Sequence, residues 1–252
     1  MRPEQPPAPV SDPLIFMARL FDLHIHTTKG SSDSSLSPED LVLEADRLGL
    51  RGLCITEHSG PWDRHEFQRF AGLHNLVLVR AAEVETDMGH MLAFGIDRYQ
   101  SGFHKAETLC RSVQAQGGFV ISAHPFRAVL SRKMRTRPLL YPGGGDEIPE
   151  TPEAASIHPV FKLANAVEVA NGGTADDENA MAMDVAGLLG MPVTGGSDAH
   201  SVHGIGKFVT AFRDDINNEA EFLAALHAGA FYPAAGLRSG RLRPYTSWDP
   251  PA

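Results

Sequence analysis

Histidines and carboxylates crowd five short fragments of this chain: DLHIHTTKGSSDSS, CITEH, AAEVETDMGH, ISAHP and GGSDAH. Each lies at the end of an apolar run. In an extended strand alternate side chains share a face, so His24 and His26 point one way, and so do Asp198 and His200. Imidazole and carboxylate donors suit Zn, Mn or Fe better than Mg or Ca, which prefer all-oxygen shells. Two ions bridged by a carboxylate, about 3.5–4 Å apart, can hold a shared hydroxide and aim it at phosphorus, while a third neutralises phosphate oxygens. The two pairs sit near opposite ends of the chain, so such a site exists only if the fold brings the ends of distant strands together.

The elements that must do this alternate. FDLHIHT is followed by a helical pattern from Pro38 to Leu48, with Ser37 as N-cap and Pro38 at the first helical position, and then by a short apolar strand from Gly52 to Thr56. LVLVRAAEV and HMLAFGI read as strands, AETLCRSVQAQ as a helix, FVISA and AVEVA as strands, and DENAMAMDVAGLLG as a helix. PVTGGS, KFVTAF and the helix EAEFLAALHAG complete the pattern. About seven strand–helix units imply a mainly parallel sheet closed into a barrel, with ligands at the C-terminal strand ends where barrel enzymes keep their chemistry.

With 252 residues, 42% of them hydrophobic, the chain suits one large domain. Its expected limits are 19–232, with a proline-rich N-terminal arm over 1–18 and a basic, turn-rich C-terminal tail over 233–252. Residues 131–156 lack apolar periodicity and read as a long functional loop or lid. A net charge of -9 argues against stable nucleic-acid binding, although bound cations would reverse the sign inside a cleft. No apolar run is long enough to span a membrane, and no signal peptide is recognisable. Cys54 and Cys110 form neither a disulfide framework nor a zinc motif, so a cytoplasmic location is expected.

In order and spacing the fragments resemble the polymerase and histidinol phosphatase (PHP) family of metal-dependent phosphoesterases. DLHIHT matches the first motif, ITEH the second, AAEVE with its following GH the third, AHP the next and GSDAH the last. The resemblance implies a distorted seven-stranded βα barrel carrying two or three divalent transition-metal ions (Zn, Mn or Fe). It implies that His24, His26, Glu83 and Asp198 hold one ion. Glu83 would bridge to a second ion completed by His90 and His124, and Asp33, His58 and His200 would hold a third. ITEH replaces the commoner ITDH, so Glu57 is expected to support the neighbouring ligand without binding metal itself. Glu85 shares a strand face with Glu83, which leaves a two-residue shift of the bridging carboxylate open. KGSSDSS is slightly longer than the usual loop around Asp33.

Arg127, three residues past His124, is placed to clamp a phosphate with its planar fork of donors, and His203 lies near the last motif as a second catalytic candidate. His65, His74, His104, His158 and His227 stand outside any ligand spacing and read as surface or hydrogen-bonded histidines. Asn171, before a glycine, is first a turn signal. The expected activity is hydrolysis of a small phosphorylated metabolite or nucleotide. Histidinol-phosphate phosphatase is the narrower alternative, and a non-catalytic accessory module is the other. A C–N hydrolase on a related barrel commonly needs a carboxylated lysine, and no lysine is available at the equivalent places.

Overall fold

A computed structural model describes residues 18–130, 139–143 and 148–246. Its centre is one mixed sheet of ten strands in the order β10-β9-β8-β1-β2-β3-β4-β5-β6-β7. The strands are β1 Arg19–Ile25, β2 Gly52–Glu57, β3 Val77–Thr86, β4 Gly89–Phe94, β5 Phe119–Ser122, β6 Ala166–Asn171, β7 Val193–Gly196, β8 Phe208–Phe212, β9 Phe231–Ala235 and β10 Arg243–Pro244. The helices are α1 Pro38–Leu48, α2 Arg64–Ala71, α3 Ala106–Ala115, α4 Pro152–Ser156, α5 Val160–Leu163, α6 Asp176–Leu189 and α7 Glu219–Ala228.

Helix α1 begins where its sequence predicts. Ser37 accepts from the Asp40 amide, Pro38 fills the first turn, and Gly49 ends the helix at φ 71°, a left-handed position glycine adopts without strain. A cap of this type stabilises by about 1 kcal/mol. Helix α2 was not evident from sequence because its eight residues, RHEFQRFA, hold only three apolar positions at helical spacing, Phe67, Phe70 and Ala71, too short a run for the period to stand out.

The sheet differs from the expected seven parallel βα units. β3 and β4 form an antiparallel hairpin, and β4 is antiparallel to β5. β8, β9 and β10 extend the other edge in antiparallel fashion from β1. Residues 233–246 are therefore not a solvated tail. Ala234 and Ala235 are buried in β9, and the Tyr245 amide donates to the Pro233 carbonyl at 2.8 Å. Arg238 binds the Ile205 carbonyl at 2.8 Å and Glu44 of α1 at 3.1 Å, so its charge is spent on fastening this segment. Of the expected loop, the stretches 131–138 and 144–147 lie outside the described residues, as do 1–17 of the arm and 247–252; the described end of the loop holds α4.

Two opposite ends matter for the site. At the N-terminal strand ends, α7 plugs the sheet with Phe222, which stacks on Phe21 at 5.5 Å and packs against Phe212 and Phe94 at 5.6 and 5.7 Å. Gly52 lets β2 approach this plug, since a Cβ there would stand 2.2 Å from the Phe21 ring. At the C-terminal ends, β7 turns onto β1: Ile25 bridges Ala199, Asp198 donates its amide to the His24 carbonyl at 2.7 Å, and His26 donates to the Ala199 carbonyl at 3.0 Å. Those bonds place GGSDAH beside DLHIHT, though the two are far apart in the chain.

Candidate metal centre

Glu83, 3% exposed on β3, is the hub of the cluster. Its Oε1 lies 2.7 Å from His90 Nδ1 and 2.9 Å from His124 Nε2. Its Oε2 lies 3.2 Å from His26 Nε2 and 3.3 Å from both His24 Nε2 and His58 Nδ1. Asp198 Oδ1 faces the same two nitrogens, 3.5 Å from His24 Nε2 and 3.3 Å from His26 Nε2. Glu85, the alternative hub, is exposed at the rim.

The second nitrogens of His24 and His26 are spoken for. His24 Nδ1 donates to Glu168 Oε1 at 3.0 Å. Ser31 Oγ gives its only proton to Glu57 Oε2 at 2.6 Å, so it must accept from His26 Nδ1 at 3.1 Å, and it also accepts from the His58 amide at 3.2 Å. Glu57 in turn accepts from the Thr27 amide and hydroxyl and from Trp62 Nε1 at 2.9 Å. It thus supports His26 through Ser31 and sends no oxygen into the cluster. His200 Nδ1 donates to the Asp198 carbonyl at 2.9 Å, which leaves its Nε2 towards Asp33 Oδ2 at 3.4 Å. His58 Nε2 is 3.5 Å from the same oxygen.

These contacts leave His24 Nε2, His26 Nε2 and His124 Nδ1 buried without a hydrogen-bond partner. Nature seldom tolerates such atoms, each of which costs roughly 1–3 kcal/mol when desolvated and unpaired. A tetrahedral ion with bonds of about 2.0–2.2 Å needs donors about 3.3–3.6 Å apart. The separations of His24 and His26 Nε2 from the Glu83 and Asp198 oxygens, 3.2 to 3.5 Å, fall at that spacing. Donor atoms able to share an ion gather as His24, His26, Glu83 and Asp198, as Glu83, His90 and His124, and as His26, His58 and His200. The residues present therefore fit divalent cations.

Electrostatics agree. Burial opposes the charged form of His24, yet Glu168, Asp198 and Glu83 hold its pKa well above the usual imidazole range; burial likewise opposes His26, and Asp198 and Glu83 raise it. Burial would raise Glu83 and Asp198, but the facing imidazoles, led by His24, hold both well below the ordinary carboxylate range. Burial, helped by Arg127, pushes His124 down to about 4, so it is neutral and ready to donate a lone pair. Burial and the neighbouring His26 also lower His58. His124 (φ 30°) and Asp198 (φ 53°) are held in left-handed backbone conformations that non-glycine residues rarely adopt; such strain concentrates at functional sites.

Arg127 reaches the cluster edge, donating Nη2 to Asn171 Oδ1 at 2.7 Å and to Asp198 Oδ2, and Nε to Thr174 Oγ1 at 3.2 Å. His203 is exposed on the turn between β7 and β8 and enters none of these groups. Sequence reading missed Glu168, which groups with His24 and His124 and accepts from the His124 amide at 3.0 Å and from Asn171 Nδ2 at 2.9 Å. The available signal was a lone carboxylate between valines in AVEVA, a strand buried throughout.

Residues 22–132 match the PHP domain, and residues 176–231 match the PHP-associated domain. The chain belongs to the PHP family. Curated relatives include an error-prone DNA polymerase of Cutibacterium acnes, 32% identical over 106 residues (40% of this chain, 7% of that protein). Another is the error-prone DNA polymerase of Nocardia farcinica, 34% identical over 80 residues (32% of this chain, 7% of that protein). The matches thus span a small part of those polymerases. Among solved structures, a two-domain protein containing a predicted PHP-like metal-dependent phosphoesterase, from Bacteroides vulgatus, superposes with a TM-score of 0.63 at 18% identity, covering 86% of this chain and 65% of that one. An amidohydrolase from Chromobacterium violaceum, with bound sulfate and no metal, gives 0.55 at 16% identity, covering 82% and 96%. A lesion-specific endonuclease from Pyrococcus furiosus gives 0.55 at 15% identity, covering 87% and 59%. At these identities the likeness establishes a shared PHP-type fold.

Proposed function

We propose that this PHP-family chain is a metal-dependent phosphoesterase acting on a small phosphorylated metabolite or nucleotide. The observation that carries this is the pair of buried imidazole nitrogens without hydrogen-bond partners, Nε2 of His24 and of His26, both facing Glu83 Oε2 and Asp198 Oδ1 while His90 and His124 meet the other Glu83 oxygen. His24, His26, Glu83 and Asp198 would hold one ion; Glu83, His90 and His124 a second; His58, His200 and Asp33, with His26 adjoining, a third. Divalent cations bound there supply Lewis acidity towards phosphoryl oxygens and lower the pKa of water.

The chain's own residues do the rest. Glu168 and Ser31 fix the proton on Nδ1 of His24 and His26, so each presents a lone pair at Nε2. Arg127, its fork shared among Asn171, Thr174 and Asp198, is placed to bind non-bridging phosphate oxygens at the edge of the cluster. In the reaction the oxygen of water bonds to phosphorus, the ester P–O bond breaks, and the alcohol leaves with a proton. His203 is given no part. We read β1–β7 as the family's distorted barrel, with β8–β10 added at one edge. The buried free thiols of Cys54 and Cys110 accord with a reducing compartment such as the cytoplasm.

Purified protein should carry two or three transition-metal ions per chain and hydrolyse p-nitrophenyl phosphate in a chelator-sensitive way. Full loading with no turnover on a broad panel of phosphate esters would exclude the enzyme and leave the second reading, an accessory module, which the polymerase relatives favour.

A further inference from the structure

Strand β1 changes partners at Asp22. Arg19, Leu20 and Phe21 pair with β8, whereas His24, Ile25 and His26 lean on residues 198–199, just past β7. Strand β7 ends at Gly196 and β8 begins only at Phe208, so no continuous partner runs along this edge of β1. Against β2 on its other edge, Asp22 faces Leu53 and Ile25 faces Ile55, so β1 holds one residue more than β2 over this step and bulges there. A junction of this kind leaves backbone amides that no strand ladder satisfies. The wholly buried Asp22 side chain takes them up. Its Oδ1 accepts from the Ser197 amide at 2.8 Å and from the His24 amide at 3.4 Å, and its Oδ2 accepts from the Gly206 amide at 3.0 Å. One carboxylate thus holds the bulge of β1, the exit from β7 and the entry to β8.

The segments fastened in this way carry inner ligands. Asp198 follows Ser197 directly, and its own amide meets the His24 carbonyl at 2.7 Å, so successive peptides of the turn are gripped by β1. The far end of the turn is clamped across a single peptide, whose Ile205 carbonyl accepts from Arg238 at 2.8 Å and whose Gly206 amide donates to Asp22. Resting on the metal-site reading above, we propose that Asp22 is a positioning residue for the inner ion, setting the 3.5 Å spacing of His24 Nε2 and Asp198 Oδ1 through the peptides it pins. Asp22 itself enters none of the donor groups. A carboxylate is needed because both oxygens face N–H donors; a carboxamide would turn its own NH2 towards one of them. Thr210 is a stitch of similar build, its hydroxyl bonding the Gly195 amide at 2.9 Å and the Gly195 carbonyl at 2.8 Å, but it joins β7 to β8 before the ligand-bearing turn begins.

The test sets Asp22→Asn beside Thr210→Val in the full chain, stripped of metal and reloaded well below the unfolding transition. In Asp22→Asn, zinc affinity measured against a competing chelator should fall roughly 10- to 100-fold, and the visible spectrum of bound Co²⁺ should shift. Thr210→Val should lose thermal stability with both readouts unchanged. Wild-type affinity and spectrum in Asp22→Asn overturn the proposal. An equal fall in both variants does so too, since Asp22 would then be a general support of the sheet. Should Asp22→Asn not fold, Asp22→Glu, which keeps both acceptors but displaces the seam, is scored by the same readouts with the same expected direction. Turnover enters neither readout, so a loaded but inactive protein leaves the test intact. If the wild type takes up no zinc, the metal reading has failed separately, and ¹⁵N imidazole signals of the ion-free proteins decide the role of Asp22: Asp22→Asn should move those of His24 and Thr210→Val should not, and unmoved His24 signals reject it.

Discussion

The inner and outer halves of the cluster are built on different principles. His24 and His26 are wholly buried, Glu83, His124 and Asp198 nearly so; hydrogen bonds tie His24 and His124 to Glu168, His26 to Ser31, Asp198 to the His24 carbonyl, and Glu83 to His90 and His124. The outer set is open: side-chain exposure is 36% for His58, 30% for His200 and 59% for Asp33, whose carboxylate comes from the loop between β1 and α1. Buried donors without cations are costly, so the inner half is a standing demand for charge neutralisation; the outer half sits in water that can satisfy it. The inner half should therefore decide whether the protein works, and the outer half how well.

The largest expected effect is at the inner ligands. His26→Ala or Asp198→Ala should lower phosphatase turnover on the order of 10³-fold or more, with an unchanged circular dichroism spectrum. Turnover within tenfold of wild type in either would erase the contrast. Gly196→Ala tests the same half without touching a ligand. Its Cβ would stand 2.6 Å from His24 Cβ and 2.7 Å from Glu168 Oε1, so thermal unfolding should show a loss of about 1–3 kcal/mol, together with fewer ions per chain by elemental analysis. A variant as stable and as fully loaded as wild type would show that His24 is not held where the structure places it.

Ser31→Ala frees the Nδ1 proton of His26 and leaves Glu57 short of a donor. Zinc affinity, measured by competition with a chromophoric chelator, should fall roughly 10- to 100-fold. No change would mean that the ring is oriented by packing alone. Protons give a further comparison. In the ion-free protein the pKa of His24 lies well above the usual imidazole range and that of His26 is raised, so protons compete with an ion for these nitrogens. Affinity for the inner ion should thus rise with pH, by about tenfold per unit for each proton released, and level off above those raised values. Calorimetry in buffers of different ionisation enthalpy counts the protons; a count of zero at neutral pH contradicts the charge assignment. The raised values also mean that whatever stability the ion-free fold draws from these two pairings is fully present below the unfolded imidazole pKa and lost as pH climbs through the raised folded values. The smallest effect belongs to the rim. Asp33→Asn should change kcat/KM by only a few-fold, because solvent already shares its work. A loss as large as that of His26→Ala would make the two halves one unit.

Much of the fold was legible locally. Ser37 and Pro38 mark the start of α1 to the residue because capping is short-range chemistry. The apolar runs of β1, β3 and β6 announce strands for the same reason. Helices α2, α4 and α5 escaped because they are short and bury few side chains, and β9 and β10 escaped because a turn-rich, basic segment has no periodicity that reveals a partner strand. Nor does the antiparallel turn of β4 leave any trace in composition.

At the site, residue types and spacing alone determined the donor chemistry, since imidazole and carboxylate groups on one strand face can serve few other purposes in such number. Only the tertiary structure decided that Glu83 and not Glu85 is the hub, that Glu168 stands behind His24, and that Asp198 meets His24 at all. Those outcomes depend on hydrogen bonds between β1 and the end of β7, strands at opposite ends of the chain. Such long-range pairing is set by the closure of the whole sheet, on which neighbouring residues carry no information.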